Sequence, residues 1–334
     1  MSNQTVLYDA PGPKARRLTL IVSIVAAALA VAGAYFAIYR PLKRNGHLTM
    51  ELWGPLIDPG NENFDQLWAR LAEGFRGTIT AAVLAIVCSL LVGTALAVLR
   101  VQLRTVRTTP GVQVLISVLN WVTRICVEVF RGIPVVITIF FVWVGLGKVG
   151  AHDITIPLSK IGLDDLVIPT LLYTLVLGLT IYNGVVIGEI LRSGMEGLPR
   201  GQREAADAIG LSTFQTIRLV LMPQAFRIML PALISQLVVV LKDTSLGFII
   251  TYAEILRVAR DTIQVLGNGI QTYVVIGAIY ISMNYALSKL AEYTQRRMAR
   301  ARKAPRQPGG GAQPPAALAA EAQIPAGVPI KLDD

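Results

Sequence analysis

Six uncharged apolar runs constrain this chain more than any other feature: Leu18–Tyr39, Gly77–Leu99, Ile133–Gly147, Leu166–Gly188, Ile228–Leu241 with an extension to Ala253, and Gly267–Ser288. A hydrocarbon core about 30 Å thick is crossed by a helix of about 20 residues. The runs lack the period-two alternation of barrel strands, and inside lipid every backbone polar group must be satisfied within the segment. The expected fold class is all-α, a polytopic membrane protein with about six transmembrane helices. Composition agrees, since 53% apolar against 16% charged residues and a mean hydropathy of +0.56 are too apolar for soluble domains.

A net charge of +10 would suit nucleic acid, but the basic residues sit mainly between and beyond the apolar runs, where the positive-inside rule places them. Nucleic acid is therefore not expected as a partner. With both termini cytoplasmic, the best support comes from Arg100 to Gly132, where Arg100, Arg104, Arg107, Arg124 and Arg131 face a single acid, Glu128. Arg40, Lys43 and Arg44, just after the first run, oppose this orientation. Cys88 and Cys126 are the only cysteines, so no disulfide framework or multi-cysteine metal site can be drawn. The first run is too long for a signal-peptide core and ends in Tyr-Arg-Pro-Leu, so it is expected to be a retained helix.

Along the chain, residues 1–17 suit a disordered cytoplasmic lead, 18–39 a first transmembrane helix and 40–72 an external loop. Within that loop Phe64, Leu67, Trp68, Leu71 and Phe75 share a helical stripe, expected to lie in the interface. Val112 to Val129 is interrupted by Asn120, Arg124 and Glu128, so it is expected to be an amphipathic lead-in rather than a span. After Lys289 a basic helix with Arg296, Arg297, Arg300, Arg302 and Lys303 suits anionic lipid headgroups. It dissolves at Pro305 into Gly-, Pro- and Ala-rich sequence expected to be disordered, so 293–334 is assigned to a cytoplasmic tail.

The inventory for catalysis is thin. His47 and His152 are the only histidines, and neither HExxH nor GxSxG occurs. Gly145-Leu-Gly-Lys148 has the wrong spacing for a phosphate-cradling loop, so if ATP drives this protein another subunit binds it. No cofactor or metal is expected on the chain itself.

The segment Glu189 to Arg227 is too long for a simple turn in a compact bundle. Pro199 and Gly201 punctuate it, Gln202 to Ile209 has the composition of a short helix, Gly210 breaks that helix, and Ser212 suits an N-cap for a second helix through Leu221. The expected product is a helix–Gly–helix elbow.

Glu204-Ala205-Ala206, Gly210 and Pro223 together closely resemble the EAA loop of the inner-membrane permease subunits of bacterial ABC importers. Val220 and Met222 replace the usual Ile and Leu conservatively. Flanking motifs are similar to the polar amino acid branch (histidine, glutamate, glutamine, arginine). They are Glu128-Val-Phe-Arg131-Gly-Ile-Pro134, Gly188-Glu189-Ile-Leu-Arg192, Gly201-Gln202, Leu221-Met-Pro223-Gln224-Ala225 and Lys242-Asp243-Thr244-Ser245-Leu246. The resemblance covers roughly 73–292, and the lead Val6 to Pro13 with the long tail resembles actinobacterial glutamate permease subunits. It implies a type I importer core in which two permease subunits, identical or related, form the pathway. Two cytoplasmic ATPase subunits carrying ATP and Mg would grip the elbow, and an external binding protein would deliver a polar amino acid, glutamate or a related one. The implied ATPase-coupling residues are Gly201, Gln202, Glu204, Ala205, Ala206, Gly210 and Pro223.

Polar groups inside a membrane are costly and mark function by default. Asn183, Glu189, Lys242, Asp243, Thr244 and Ser245 are the pathway candidates, although Lys242 and Asp243 point about 100° apart on a helix and need not pair. Glu189 can instead pair with Arg192 or another basic residue. Gly184 and Gly188 permit close helix approach. The alternative is a self-sufficient carrier driven by protons or sodium, with Glu189 or Asp243 as its ion site.

Overall fold

The structure is a computed structural model that describes residues 12–106, 109–157 and 164–301. Expectations for residues 1–11 and for the tail beyond 301 lie outside the described residues. The chain divides at Ala291 into a helical bundle and a short C-terminal unit, in which Arg296 pairs with Glu292.

The first helix, α1 (Pro13–Ala34), begins at Pro13 rather than Leu18, because a proline in the first turn forfeits no helical N–H. It continues through a π-helical stretch, Tyr35–Tyr39, into α2 (Arg40–Arg44). Residues 40–72 are not a loop. They hold α2, α3 (Met50–Ile57) and the first turns of α4 (Phe64–Thr105). The stripe read at 64–75 is thus the start of a 42-residue rod. Leu67, Leu71, Gly74 and Thr78 form its buried edge, whereas Trp68 and Phe75 stay exposed and the Trp68 indole N–H donates to the Leu56 carbonyl at 3.1 Å.

The region between α4 and the next long helix departs most from expectation. Pro110–Gly132 forms α5, long and apolar enough to cross a membrane, whereas α6 (Val135–Lys148) has only 14 residues. By length alone the third span belongs to α5. The contacts give α5 another course. Its start follows closely on the end of α4, and its end places Arg131 in one cavity with Glu189 and Arg192, so both ends of α5 lie at the same end of the bundle. It is α6 that runs onward, packing Ile139 against Gly178 and leading to His152, whose carbonyl accepts from the Tyr173 hydroxyl at 2.9 Å. The amphipathic lead-in is therefore a separate helix, broken from α6 at the extended Ile133-Pro134.

Leu166 does not open a span. Leu166–Ile168 (β2) pairs antiparallel with Ile154–Ile156 (β1), and α7 begins at Thr170 and runs to Glu196, past the expected end at Gly188. The Asp153 carboxylate accepts from the Thr170 backbone N–H at 2.7 Å and its hydroxyl at 2.8 Å, capping α7. These bonds, the backbone one foremost, hold the Asp153 pKa below the usual carboxylate range.

Helix α7 is the centre of the bundle, with α4, α6 and α10 (Met222–Asp243) around it. Its small residues set the approach to α4. A Cβ on Gly93 would stand 2.7 Å from the Ile187 Cγ2 and 2.8 Å from the Gly184 carbonyl oxygen. Gly93 meets Gly184 and Leu96 meets Gly188, so α4 and α7 run parallel. Leu191, Met195, Ile217, Leu221 and Ala225 close the core at one end, and Leu175, Leu179, Ile139 and Ile250 at the other.

The expected loop 189–227 is mostly helix: the end of α7, α8 (Gly201–Ala208), α9 (Thr213–Gln215), a π-helical stretch Thr216–Leu221 and the start of α10. The second elbow helix thus does not stop at Leu221 but is the root of the next long helix. Both π stretches end two residues before a proline, Pro41 and Pro223. Proline has no N–H for the i−4 carbonyl and its ring crowds that carbonyl, so a wider turn just before it relieves the clash. Beyond α10, a 3-10 stretch (Thr244–Ile250) turns at left-handed Thr251 into α11 (Ile255–Leu266), and α12 (Gly269–Ala301) completes the fold.

Candidate functional site

The elbow is built from short-range chemistry. At its end, the Leu211 N–H donates to the Ala206 carbonyl at 3.1 Å and the Gly210 N–H to the Asp207 carbonyl at 3.0 Å. This double closure needs a left-handed residue, and Gly210 has φ +77°. The following helix starts with a capping box. The Ser212 N–H donates to Gln215 Oε1 at 2.8 Å, and the Gln215 N–H donates to Ser212 Oγ. Ser212 is the N-cap its sequence context indicates.

One face of α8 is tethered and the other is free. Ala206 is buried, the Arg203 guanidinium donates to the Thr105 hydroxyl at 3.4 Å, and the Gln224 amide donates to Gln202 Oε1 at 3.1 Å. Glu204, Ala205, Asp207, Ala208 and Ile209 face outward, and Ile209 is 76% exposed. Glu204 forms no ion pair among the described residues and borders a cavity of about 330 Å³ with Glu196, Pro199, Arg203 and Asp207. Gly201 opens α8 with open space around it. Pro223 lies in the first turn of α10, removed from the free face.

The pathway candidates separate into three places. Glu189 is in an ion-pair cluster near the elbow, in contact with Arg100 of α4 and bonded to Arg192 at 2.9 Å. Asn183 is fully buried; its amide donates to the Leu179 carbonyl at 3.0 Å and its carbonyl oxygen accepts from Gln236 at 2.7 Å. Asp243 lies beside Asn183, so those two candidates do meet. Lys242 points elsewhere, as the 100° step on the helix requires, and is exposed, with half-buried Ser245 beside it, on a groove bordered by Tyr273, Tyr280 and Asn284. Thr244 is buried and its hydroxyl donates to the Leu241 carbonyl at 2.6 Å, which makes it a packing residue.

Several polar contacts had no signal in the sequence. Arg100 and Arg104, read as part of a basic loop, lie on α4, and Arg100 is 3% exposed. Gln236 carried no motif. Glu254 caps α11 by accepting from the Leu256 and Arg257 N–H groups at 2.8 and 2.6 Å, and also accepts from the Tyr280 hydroxyl at 3.1 Å. Its burial lifts its pKa to about 7. Among the described residues no cluster of His, Cys, Asp and Glu could hold a metal ion.

Residues 114–300 match the family described as binding-protein-dependent transport system inner membrane component. The chain is 37% identical over 278 residues to the glutamate transport system permease protein GluD of Corynebacterium glutamicum, covering 81% of this chain and 90% of the relative. It is 29% identical over 229 residues to the glutamate/aspartate import permease protein GltK of Escherichia coli O6:H1, covering 69% and 93%. Among solved structures, an amino acid ABC transporter with histidines superposes with a TM-score of 0.54 at 25% identity, covering 70% of this chain and 96% of that one. The inward-facing MetNI methionine ABC transporter shares the fold, with a TM-score of 0.54 at 18% identity, covering 71% and 98%. These relatives are permeases of ABC systems, which removes the ion-coupled carrier as an alternative. The chain belongs to the family of binding-protein-dependent transport system inner membrane components and is a permease subunit of an ABC importer.

Proposed function

We propose that this permease subunit carries glutamate or a closely related polar amino acid inward across the plasma membrane, driven by ATP hydrolysis on separate cytoplasmic ATPase subunits that bind ATP and Mg. The observation that carries the coupling role is α8, a capped short helix tethered on one face and presenting Glu204, Ala205 and Ile209 on the other. Such a helix can sit in a cleft of an ATPase and convert its closure into rigid-body movement of packed helices. Glu204 supplies a charge for a partner Arg or helix N-terminus, Ala205 permits close approach, and Gly210 holds the bend. Glutamate is supported by the names of the Corynebacterium and Escherichia relatives. A second permease chain, identical or related, completes the pore, an external binding protein supplies the substrate, and both termini face the cytoplasm. Lys242 and Ser245, on the open groove, and Asn183 with Asp243 are the groups we assign to the pathway.

Affinity purification of the tagged chain from its native membrane in mild detergent tests this. The wild type is expected to retain an ATPase subunit. Glu204→Lys combined with Gly210→Val is expected to lose it and to lower labelled-glutamate uptake at least tenfold, with unchanged chain abundance. Undiminished uptake by that variant overturns the coupling role.

A further inference from the structure

Between the elbow and the membrane-embedded core, charges alternate across two helices. Arg104 of α4 bonds Glu196 of α7 at 2.8 Å, Glu196 contacts Arg192, Arg192 bonds Glu189 at 2.9 Å, and Glu189 contacts Arg100, back on α4. The series runs from solvent into the bundle: Arg104 and Glu196 are 40% and 36% exposed, Arg192 and Glu189 are 17% and 13%, and Arg100 is 3%. Its outer end meets the elbow directly. Thr105, next to Arg104, accepts from Arg203 of α8, and Glu196 shares the cavity under α8 with Arg203 and Glu204. Its inner end gives way to the tight seam of Gly93, Gly184 and Gly188.

We propose that this ladder is the transmission element of the subunit: it locks α4 to α7 so that displacement of α8 moves both helices as one lever, with Glu189 as the positioning residue at its pivot. Three features favour this over a simple stability role. The ladder joins two of the long helices that the elbow meets, α4 through the bond from Arg203 to Thr105 and α7 through the connection from Glu196 to Gly201. Glu189 pairs with Arg192 of its own helix and with Arg100 of α4, so loss of its charge removes the inner of the two pairs that cross between the helices. The Arg100 side chain is buried and contacts Glu189, and its Nε has no hydrogen-bond partner among the described residues. A buried charge left without its partner shifts or draws in water, and the lever acquires a loose joint. The inference rests on the permease reading above.

The test uses the complete complex, purified with its bound ATPase subunits and reconstituted in vesicles with its external binding protein, with L-glutamate as the probe. The readout is ATP hydrolysed per glutamate taken up. A merely structural role lowers both quantities together with the amount of intact complex and leaves their ratio unchanged. For a transmission role, Glu189→Gln is expected to raise the ratio at least tenfold. Arg104→Gln, at the solvent-exposed end where pairs are weaker, is expected to raise it about twofold and keeps the test open if the first variant does not assemble. A wild-type ratio in the assembled variants overturns the ladder proposal. A wild-type complex that shows no ATP-driven uptake overturns instead the permease reading on which it rests.

Discussion

Helices α1 and α7 are both long and apolar, and α1 is the more apolar of the two, yet no residue of α1 is buried while most of the apolar stretch of α7 is. Hydropathy therefore decides which helices enter lipid, not which enter the bundle. In lipid there is no hydrophobic drive between helices, and association rests on close packing and internal polar contacts. Helix α7 has both, in Gly178, Gly184, Gly188 and Gly194 and in Asn183, Glu189 and Arg192. Helix α1 has alanines and β-branched residues, and none of them is buried among the described residues.

The largest expected effect comes from filling the seam. Gly93→Leu puts a side chain where a Cβ alone would stand 2.8 Å from a backbone oxygen, and overpacking of this kind costs about 3 kcal/mol. Thermal unfolding of the detergent-solubilised chain should show the loss, and an unchanged midpoint would mean that the seam is looser than described.

A smaller, pH-dependent effect tests the polar half of the contrast at Glu254, which is fully buried at the junction of α4, α11 and α12. Its folded pKa is raised from 4.5 to about 7, so the folded state holds the proton more tightly than the unfolded one. The associated stability is present in full below pH 4.5 and is lost as pH rises through 7, at most about 3 kcal/mol across the window. Glu254→Gln is expected to flatten that decline between pH 5 and 8; a slope equal to that of the wild type would assign it to another group.

The smallest effect belongs to α1. Exchanging residues 13–44 for an unrelated apolar span should leave bundle stability within about 0.5 kcal/mol of the wild type. The exchange stops short of His47, whose carbonyl accepts from Gln271 at 2.6 Å and ties the chain to α12. A large loss would place α1 inside the bundle after all.

The same distinction explains what could be foreseen. Apolar runs located the long helices because lipid burial is a composition effect, and Gly210 and Ser212 announced the elbow because turn and cap geometry is set by one or two residues. Leu166 failed because an apolar triplet before a proline suits a strand as well as a span. The inner boundary of α7 failed because Glu189 and Arg192, read as the start of a loop, neutralise one another inside a helix. Arg100 failed for a related reason: whether an arginine at a helix end faces water or a glutamate is decided by a residue 89 positions later.

The π-helical stretch at Thr216–Leu221 has a geometric corollary. A widened turn accommodates one more residue than an α turn, which rotates everything on one side of it by about 100° relative to the other. The azimuth of Ser212 and the elbow is thereby offset from that of Gln236 and Lys242 on the same continuous rod. A helical wheel drawn straight through residues 213–243 superimposes faces that the molecule keeps apart, so the orientation of the elbow and the orientation of the membrane face could diverge in evolution by a single insertion or deletion at this turn.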